Sequence, residues 1–173
     1  MSTESLHSST ITTLEAWPTT TIDEDSLRHT LLAFLDSAPK GCLRENVPGH
    51  ITASSLVLDH AGEHVLLTLH PRVGRWIQLG GHCEETDESL LDAALREATE
   101  ESGIAGLRID PELVAIHVRE RSPNQQKRCL DHQRQHGGIR RGHHVGAAAQ
   151  RCQLHQRHRH RCGDPRAYLV HDP

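Results

Sequence analysis

The sequence is poor in aromatic residues and has no long apolar run. Phe, Trp and Tyr make up 2% of the 173 residues. That is too few for the stacking surfaces on which proteins bind single-stranded nucleic acid. No apolar run reaches the roughly 20 residues that a membrane-spanning helix needs. We therefore expect neither a membrane protein nor a protein built for nucleic-acid recognition.

Signs of export are also missing from the sequence. Residues 1–7 have neither the basic region nor the apolar core of a signal peptide. The cysteines are odd in number and unevenly placed, which does not suggest a disulfide framework. They are Cys42, Cys83, Cys129, Cys152 and Cys162. Because reduced thiols are the rule in the cytoplasm, we expect a cytoplasmic protein.

Charge is divided unevenly along a chain that is long enough for one domain. Residues 1–118 carry 7 Lys/Arg against 19 Asp/Glu, a net charge of −12. Residues 119–173 carry 12 Lys/Arg against 4 Asp/Glu, a net charge of +8. A basic tail of this kind can attract polyanions nonspecifically, but it contains no recognised nucleic-acid-binding module.

The most informative stretch is residues 96–104, which contains Glu97, Glu100 and Glu101. Residues spaced by three and four positions share one face of a helix, so three like charges would crowd there. A hard divalent cation, which prefers carboxylate oxygens, would relieve their repulsion. Gly103 then predicts the end of the helix, because glycine readily takes a left-handed conformation.

A glycine pair and an amphipathic helix surround this cluster. Gly80 and Gly81 allow the backbone to come close to a ligand. Leucines and alanines between residues 89 and 101 form one stripe at helical spacing, which predicts a helix over this range. Its candidate N-caps are Thr86, Asp87 and Ser89.

The segment that runs from Gly81 through Glu88 to residues 96–104 resembles the Nudix box of Nudix hydrolases. From Glu88 to Ile104 every fixed position of the box is matched. The loop from Gly81 to Glu88 holds six residues where the box has five. If five residues are counted after Gly81, the next residue is Asp87, which is also acidic. Eight residues then separate Asp87 from Arg96.

The resemblance implies a fold and a chemistry. It predicts an α/β protein, an α/β/α sandwich around a mixed sheet, with the box forming a loop, a helix and a loop. Such enzymes use Mg²⁺ or Mn²⁺ to hydrolyse nucleoside diphosphates linked to another moiety. We therefore expect a small nucleotide-type substrate and a divalent metal.

The resemblance also implies roles for individual residues. Glu97, Glu100 and Glu101 would bind the metal, with the carbonyl of Gly80 as a further ligand. Glu97 is also the candidate base that activates water, and Arg96 would orient it. Two further pairs complete the expected site. Glu88 and Gly81 would brace the loop, and Arg72 and Arg75 either contact substrate phosphate or are ordinary loop charges.

The remaining elements are predicted from local patterns. Residues 1–22 are rich in Ser and Thr, so we expect a loose segment before a domain of residues 23–118. Residues 22–35 predict a helix, capped by Asp23 or Asp25. Residues 51–59 and 64–70 predict a β-hairpin, and residues 113–118 predict a later strand.

After residue 118 the pattern fails, because apolar residues show neither a strand nor a helix period. Three explanations remain open for residues 119–173. They could be a disordered basic tail after an incomplete domain, or a zinc-binding tail using the spacings Cys129-x-x-His132, Cys152-x-x-His155 and His158-x-His160-x-Cys162. The explanation that we favour is that residues 119–173 are translated from the wrong reading frame. Out-of-frame translation of GC-rich coding DNA tends to produce Arg, His, Gln and Gly. If the domain is incomplete, an alternative function is possible: an inactive or truncated Nudix-fold module that binds nucleotide without turnover.

Overall fold

The computed structural model describes residues 3–70, 74–119, 144–154 and 167–171. Side chains are described within residues 4–70 and 74–118. The elements in chain order are α1 (Thr3–Ala16), α2 (Ile22–Ser37), β1 (Thr52–Leu58), β2 (His64–His70), β3 (Arg75–Ile77), β4 (Leu79–His82), α3 (Leu90–Ser102), β5 (Leu107–Arg119), β6 (His144–Leu154) and β7 (Ala167–His171).

The described strands form one mixed sheet in the order β3-β2-β1-β6-β5. β4 pairs with β1, and β7 pairs with β2. The pair β1–β6 is parallel, whereas β1–β2, β1–β4 and β5–β6 are antiparallel. A mixed sheet with packed helices confirms the α/β fold class and the sheet type that the sequence predicts.

The predicted hairpin is present, with slightly shorter first-strand limits than the sequence suggested. β1 and β2 pair antiparallel through Val57 opposite Leu66. The side chain of Asp59 holds the turn, because it accepts hydrogen bonds from the Glu63 amide at 2.9 Å and bonds His64 Nδ1 at 2.9 Å. An aspartate at the start of the turn thus satisfies backbone amides within it, as aspartates in turns commonly do.

The N-terminal segment differs from the expectation of a loose stretch over residues 1–22. Residues 3–16 form helix α1, whose Leu6 and Leu14 are buried, as is Trp17 just beyond it. The hydroxyl of Thr10, which is fully buried, donates to the Leu6 carbonyl at 2.7 Å. Because such bonds satisfy hydroxyls inside a helix, the Ser/Thr composition did not prevent helix formation.

Helix α2 lies where the sequence predicted it, but its cap differs. The N-cap is Thr21, not Asp23 or Asp25. Its side chain accepts from the Glu24 amide while the Glu24 carboxylate accepts from the Thr21 amide, which is a capping box.

The core lies between the helices and one face of the sheet. Ser55 of β1 donates to the Ala94 carbonyl of α3 at 3.1 Å, and Val57 packs with Ala98. Alternate residues of β1 therefore face α3. The larger part of the core joins α1, α2 and α3 to β1 and β5, through Leu6, Leu14, Trp17, Leu31, Leu35, Cys42, Leu43, Ile51, Ala53, Cys83, Leu90, Ala93, Ala94, Leu113 and Ile116.

The segment 119–173 departs from the expectation of disorder where the structure describes it. Residues 144–154 form β6 between β1 and β5, and residues 167–171 form β7 beside β2. Strand pairing is made by backbone groups, so it does not need a regular side-chain period. Cys152 lies in β6, whereas the other cysteines and histidines of the predicted zinc spacings lie outside the described residues.

None of the helices in the described part of the chain combines the length and apolar character needed to cross a membrane.

Candidate functional site

Helix α3 carries the predicted carboxylates and has the predicted ends. Its N-cap is Ser89, one of the three candidates, and its C-cap is Gly103 with φ of 67°. The Gly103 amide donates to the Thr99 carbonyl at 2.9 Å, which closes the helix. The buried face consists of Leu90, Ala93, Ala94, Ala98 and Ser102. The charged residues therefore lie on the remaining surface of the helix, as its period predicts.

Strand β4 brings the glycine pair against this charged surface. The Gly80 amide donates to Glu101 Oε2 at 3.0 Å. A Cβ added to Gly81 would lie 2.7 Å from the carboxylate of Glu97, so that carboxylate rests directly on the glycine backbone. The two glycines thus contact two of the three predicted carboxylates, and a side chain at position 81 would displace the carboxylate of Glu97.

Gly80 also lets β4 approach β1. Its φ is 151°, and an added Cβ would meet Ser54 Cβ and lie 2.5 Å from the Ala53 carbonyl oxygen. Gly80 is therefore required by the sheet, and Gly81 by the carboxylate beside it.

Arg96 connects the helix to the loop and to β4. Its Nε and Nη2 donate to the two carboxylate oxygens of Asp87 at 3.0 and 2.9 Å. Nη2 also donates to the His82 carbonyl at 3.0 Å. Nη1 donates to Glu97 Oε1 at 3.1 Å and, at a longer 3.4 Å, to Glu100 Oε2. One guanidinium therefore holds a loop, the end of a strand and two carboxylates. It can do so because its five N–H donors lie in one plane and point in fixed directions.

The loop brace is Asp87, not Glu88. Asp87 is buried, accepts both bonds from Arg96, and accepts the Glu84 amide at 2.7 Å. The Glu88 side chain is exposed, and its backbone carbonyl accepts from Ser5 Oγ at 3.3 Å. The spacing of five residues between Gly81 and Asp87 is the sequence signal that could have identified this brace, and the extra loop residue falls after it.

The electrostatics of the site depend on burial and on the neighbouring charges. Burial raises the pKa of Glu97 above its ordinary value; Arg96 opposes the increase, and the charges of Glu101 and Glu100 add to it. The bonds to Asp87 raise the pKa of Arg96, so the guanidinium stays charged. Glu97 is therefore a more basic carboxylate than an exposed glutamate. Its Oε1 accepts a hydrogen bond from the Arg96 guanidinium.

The basic and aromatic residues before the box are only partly located. Arg75 is exposed at the start of β3, and Arg72 lies outside the described residues. Trp76, the residue after Arg75, is 42% exposed. Arg75 thus remains a candidate phosphate contact by prediction.

A histidine that the sequence did not indicate joins the site. His50, which is buried, bonds through Nε2 to His82 Nδ1 at 2.9 Å. The contact depends on the register that places Thr52 opposite His82, and no local pattern around His50 encodes that register.

The oxygen donors suit a hard divalent cation, although they are not gathered on one point. Carboxylates and a strand carbonyl are the ligands that Mg²⁺ and Mn²⁺ take. Among the residues that the structure describes, no group of three or more His, Cys, Asp or Glu side chains is arranged to hold a metal. Glu100 and Glu101 are exposed, and they accept from Arg96 at 3.4 Å and from the Gly80 amide at 3.0 Å, respectively. Glu97 is held between Arg96 and the glycine strand.

Comparison with known sequences identifies the family. The sequence model of the NUDIX domain matches residues 48–145, more than half of the chain. The chain belongs to the Nudix family. The resemblance seen in the box is thus confirmed, and the Nudix match continues past residue 118 and leaves α1 and α2 outside it. No curated protein matches the sequence.

Solved structures of Nudix proteins show similarity at low identity. Ap4A hydrolase from C. elegans is 14% identical, with 70% of this chain and 79% of that chain covered and a TM-score of 0.49. A NUDIX-family hydrolase from Clostridium perfringens is 20% identical, with 71% and 81% covered and a TM-score of 0.39. The NUDIX domain of NrtR from Shewanella oneidensis, complexed with ADP ribose, is 16% identical, with 71% and 73% covered and a TM-score of 0.43.

Proposed function

We propose that this protein is a metal-dependent Nudix hydrolase. It cleaves a phosphoanhydride bond in a nucleoside diphosphate linked to another moiety, by attack of water on phosphorus. The observation that carries the proposal is the position of Glu97, which lies between the Arg96 guanidinium and the Gly81 backbone. A carboxylate held in this way, beside two more carboxylates, is suited to both metal binding and proton transfer.

Glu97, Glu100, Glu101 and the Gly80 carbonyl would hold Mg²⁺ or Mn²⁺. When bound, the ion neutralises pyrophosphate charge, orients it and lowers the pKa of a water. Glu101 already contacts β4 through its bond to the amide of Gly80, the residue whose carbonyl is the proposed further ligand. Glu100 is held only at 3.4 Å by Arg96 and can turn.

Glu97 is the proposed base that accepts the proton of the attacking water. Burial raises its pKa, which increases its affinity for that proton. Arg96 fixes Glu97 Oε1, so the other oxygen, Oε2, is available to the water. Arg96 therefore acts by orientation, because its guanidinium cannot release a proton at neutral pH.

Arg75 and Arg72 are the proposed contacts to substrate phosphate. Arg75 is exposed at the start of β3, in the segment that leads directly into β4. Guanidinium groups bind phosphate oxygens bidentately, which would hold the leaving portion of the substrate.

A chromatographic assay that detects the two phosphomonoester products, run across a panel of nucleoside diphosphate derivatives with and without Mg²⁺, tests the function. We expect metal-dependent release from at least one substrate. Glu100→Gln should reduce it at least about a hundredfold while the circular dichroism spectrum stays unchanged, since the amide keeps the helix but weakens metal binding. Glu88→Gln, an exposed neighbour, is the matched control and should retain full activity.

Two results would contradict this assignment. Full activity in Glu100→Gln would remove Glu100 from the metal site. Tight binding of a nucleotide in calorimetry, with no release from any member of the panel, would favour the alternative of a binding module without turnover.

A further inference from the structure

The glycine strand β4 has few side chains with which to hold its place. It spans Leu79–His82, and its middle residues, Gly80 and Gly81, contribute none. Leu79 is buried in the core beside Ala98 of α3. His82 is therefore the residue whose side chain can fix the other end of the strand.

The ring of His82 is held on the sheet face opposite α3. Leu79 faces α3, and alternation along a strand places residue 82 on the other face. There His50 Nε2 and His82 Nδ1 lie 2.9 Å apart, with one ring nitrogen donating and the other accepting. His50 is 4% exposed and lies two residues before the start of β1, so the surrounding packing limits the movement of its ring.

The backbone of His82 meets the charged site directly. Its carbonyl accepts from Arg96 Nη2 at 3.0 Å. The same guanidinium bonds Glu97, and the neighbouring glycines support the carboxylates of Glu97 and Glu101. A shift of His82 would thus move an acceptor of Arg96 and the surface on which both carboxylates rest.

We propose that His50 is a positioning residue for this site. By holding the His82 ring, it fixes the end of β4 and so the position of Arg96 and Glu97, although it contacts neither. Pairing with β1 supports the edge of β4, but the ring-to-ring bond gives its terminal residue a side-chain attachment. The consequence for catalysis rests on the proposed hydrolase function, whereas the consequence for geometry does not.

Three variants of the full-length chain test the proposal. His50→Ala removes the bond. His50→Gln places an amide near the position of Nε2 and can restore it, and His50→Asn is too short to reach. His64→Ala is the matched control, because His64 also makes a 2.9 Å side-chain bond but lies at the β1–β2 turn. The readouts are the NMR shifts of the Gly80 amide and the Arg96 Nε–H, the affinity for Mn²⁺ by electron paramagnetic resonance, and kcat and KM.

We expect His50→Ala to shift both NMR signals and weaken Mn²⁺ binding about tenfold, as loss of support behind metal ligands commonly does. The value of kcat should fall with little change in KM. His50→Gln should recover most of both losses, while His64→Ala should match the wild type. If His50→Ala does not fold, the comparison of His50→Gln with His50→Asn tests the proposal instead. Only the longer Gln side chain should preserve the NMR signals and the Mn²⁺ affinity.

Unchanged signals, Mn²⁺ affinity and kcat in His50→Ala would overturn the positioning role. Equal losses in His50→Gln and His50→Asn would overturn it as well, because the hydrogen bond would not be what matters. If the wild type neither binds Mn²⁺ nor hydrolyses any substrate, the proposed function fails. Shifted Gly80 and Arg96 signals in His50→Ala, with recovery in His50→Gln, would still support the positioning role.

Discussion

Arg96 and Asp87 form a two-point ion pair, with the guanidinium donating at 3.0 and 2.9 Å to a carboxylate whose side chain is 5% exposed. The pair joins the middle of α3 to the loop before it. Cys83, which precedes this loop, is buried. Of the three N–H donors that remain on Arg96, one bonds the His82 carbonyl and two bond Glu97 and Glu100. Structural support and the orientation of Glu97 therefore depend on one side chain.

Replacing Asp87 with alanine should destabilise the protein by about 2–3 kcal/mol. This lies at or below the lower end of the range for breaking buried pairs, because Arg96 is 21% exposed and water can partly solvate it. Glu88→Ala, the matched control one residue away, should change the free energy of unfolding by less than about 0.5 kcal/mol. Urea unfolding measures both. A larger effect for Glu88→Ala than for Asp87→Ala would contradict the assignment of the brace.

The two buried cysteines should be unreactive in the native protein. Burial raises the pKa of the Cys42 thiol, and burial together with nearby acidic groups raises the pKa of Cys83. Each unit of increase lowers the thiolate fraction tenfold, and the thiolate is the reactive form. In the variant C129S/C152S/C162S, a thiol reagent at pH 8 should therefore react at least about a hundredfold more slowly than after unfolding in urea. Fast reaction of two equivalents of the thiol reagent with the folded variant would contradict the burial of Cys42 and Cys83.

Glu24 should make the stability of the protein depend on pH in the acid range. Its carboxylate accepts from Thr20 and Thr21, and these bonds lower its pKa. A carboxyl group with a lowered folded-state pKa stabilises the fold fully above its unfolded pKa, near 4.5. That contribution is lost as the pH falls through the folded-state value. Glu24→Gln should thus lower the urea midpoint at pH 7 and have a smaller effect at pH 3. An equal effect at both pH values would show that ionisation of Glu24 is not involved.

Most of α3 and the hairpin could be predicted because their signals are local. Ser89, the apolar stripe and Gly103 lie within one helix length and set its ends. The turn at Asp59 is likewise encoded by adjacent residues. Local signals of this kind determine element type and limits without knowledge of the rest of the fold.

The features that the sequence did not predict depend on distant partners. Helix α1 gains its order from burial of Leu6 and Leu14 against other elements, which outweighs its Ser/Thr composition. The pairing of His50 with His82 joins residues 32 positions apart through strand register. The strands within residues 144–171 pair through their backbones, and so they were not visible in the side-chain pattern. The loop brace was assigned to Glu88 because the residues of the box were counted backward from Arg96. Counting forward from Gly81 gives Asp87, which makes the contacts.

The two adjacent glycines of β4 should respond differently to alanine, because different atoms face them. In Gly80→Ala the new Cβ would meet the backbone of β1, which cannot move aside, and φ is 151°. We expect a loss of about 2–4 kcal/mol in the free energy of unfolding. In Gly81→Ala the three atoms nearest the Cβ would be those of the Glu97 carboxylate, at 2.7 Å, and this side-chain end can shift. That variant should stay folded, with a loss below about 1 kcal/mol, but bind Mn²⁺ about tenfold more weakly because Glu97 is displaced. Urea unfolding and Mn²⁺ titration of both variants separate the two roles. A Gly81→Ala protein with unchanged Mn²⁺ affinity would show that the position of Glu97 against the glycine backbone does not matter for metal binding.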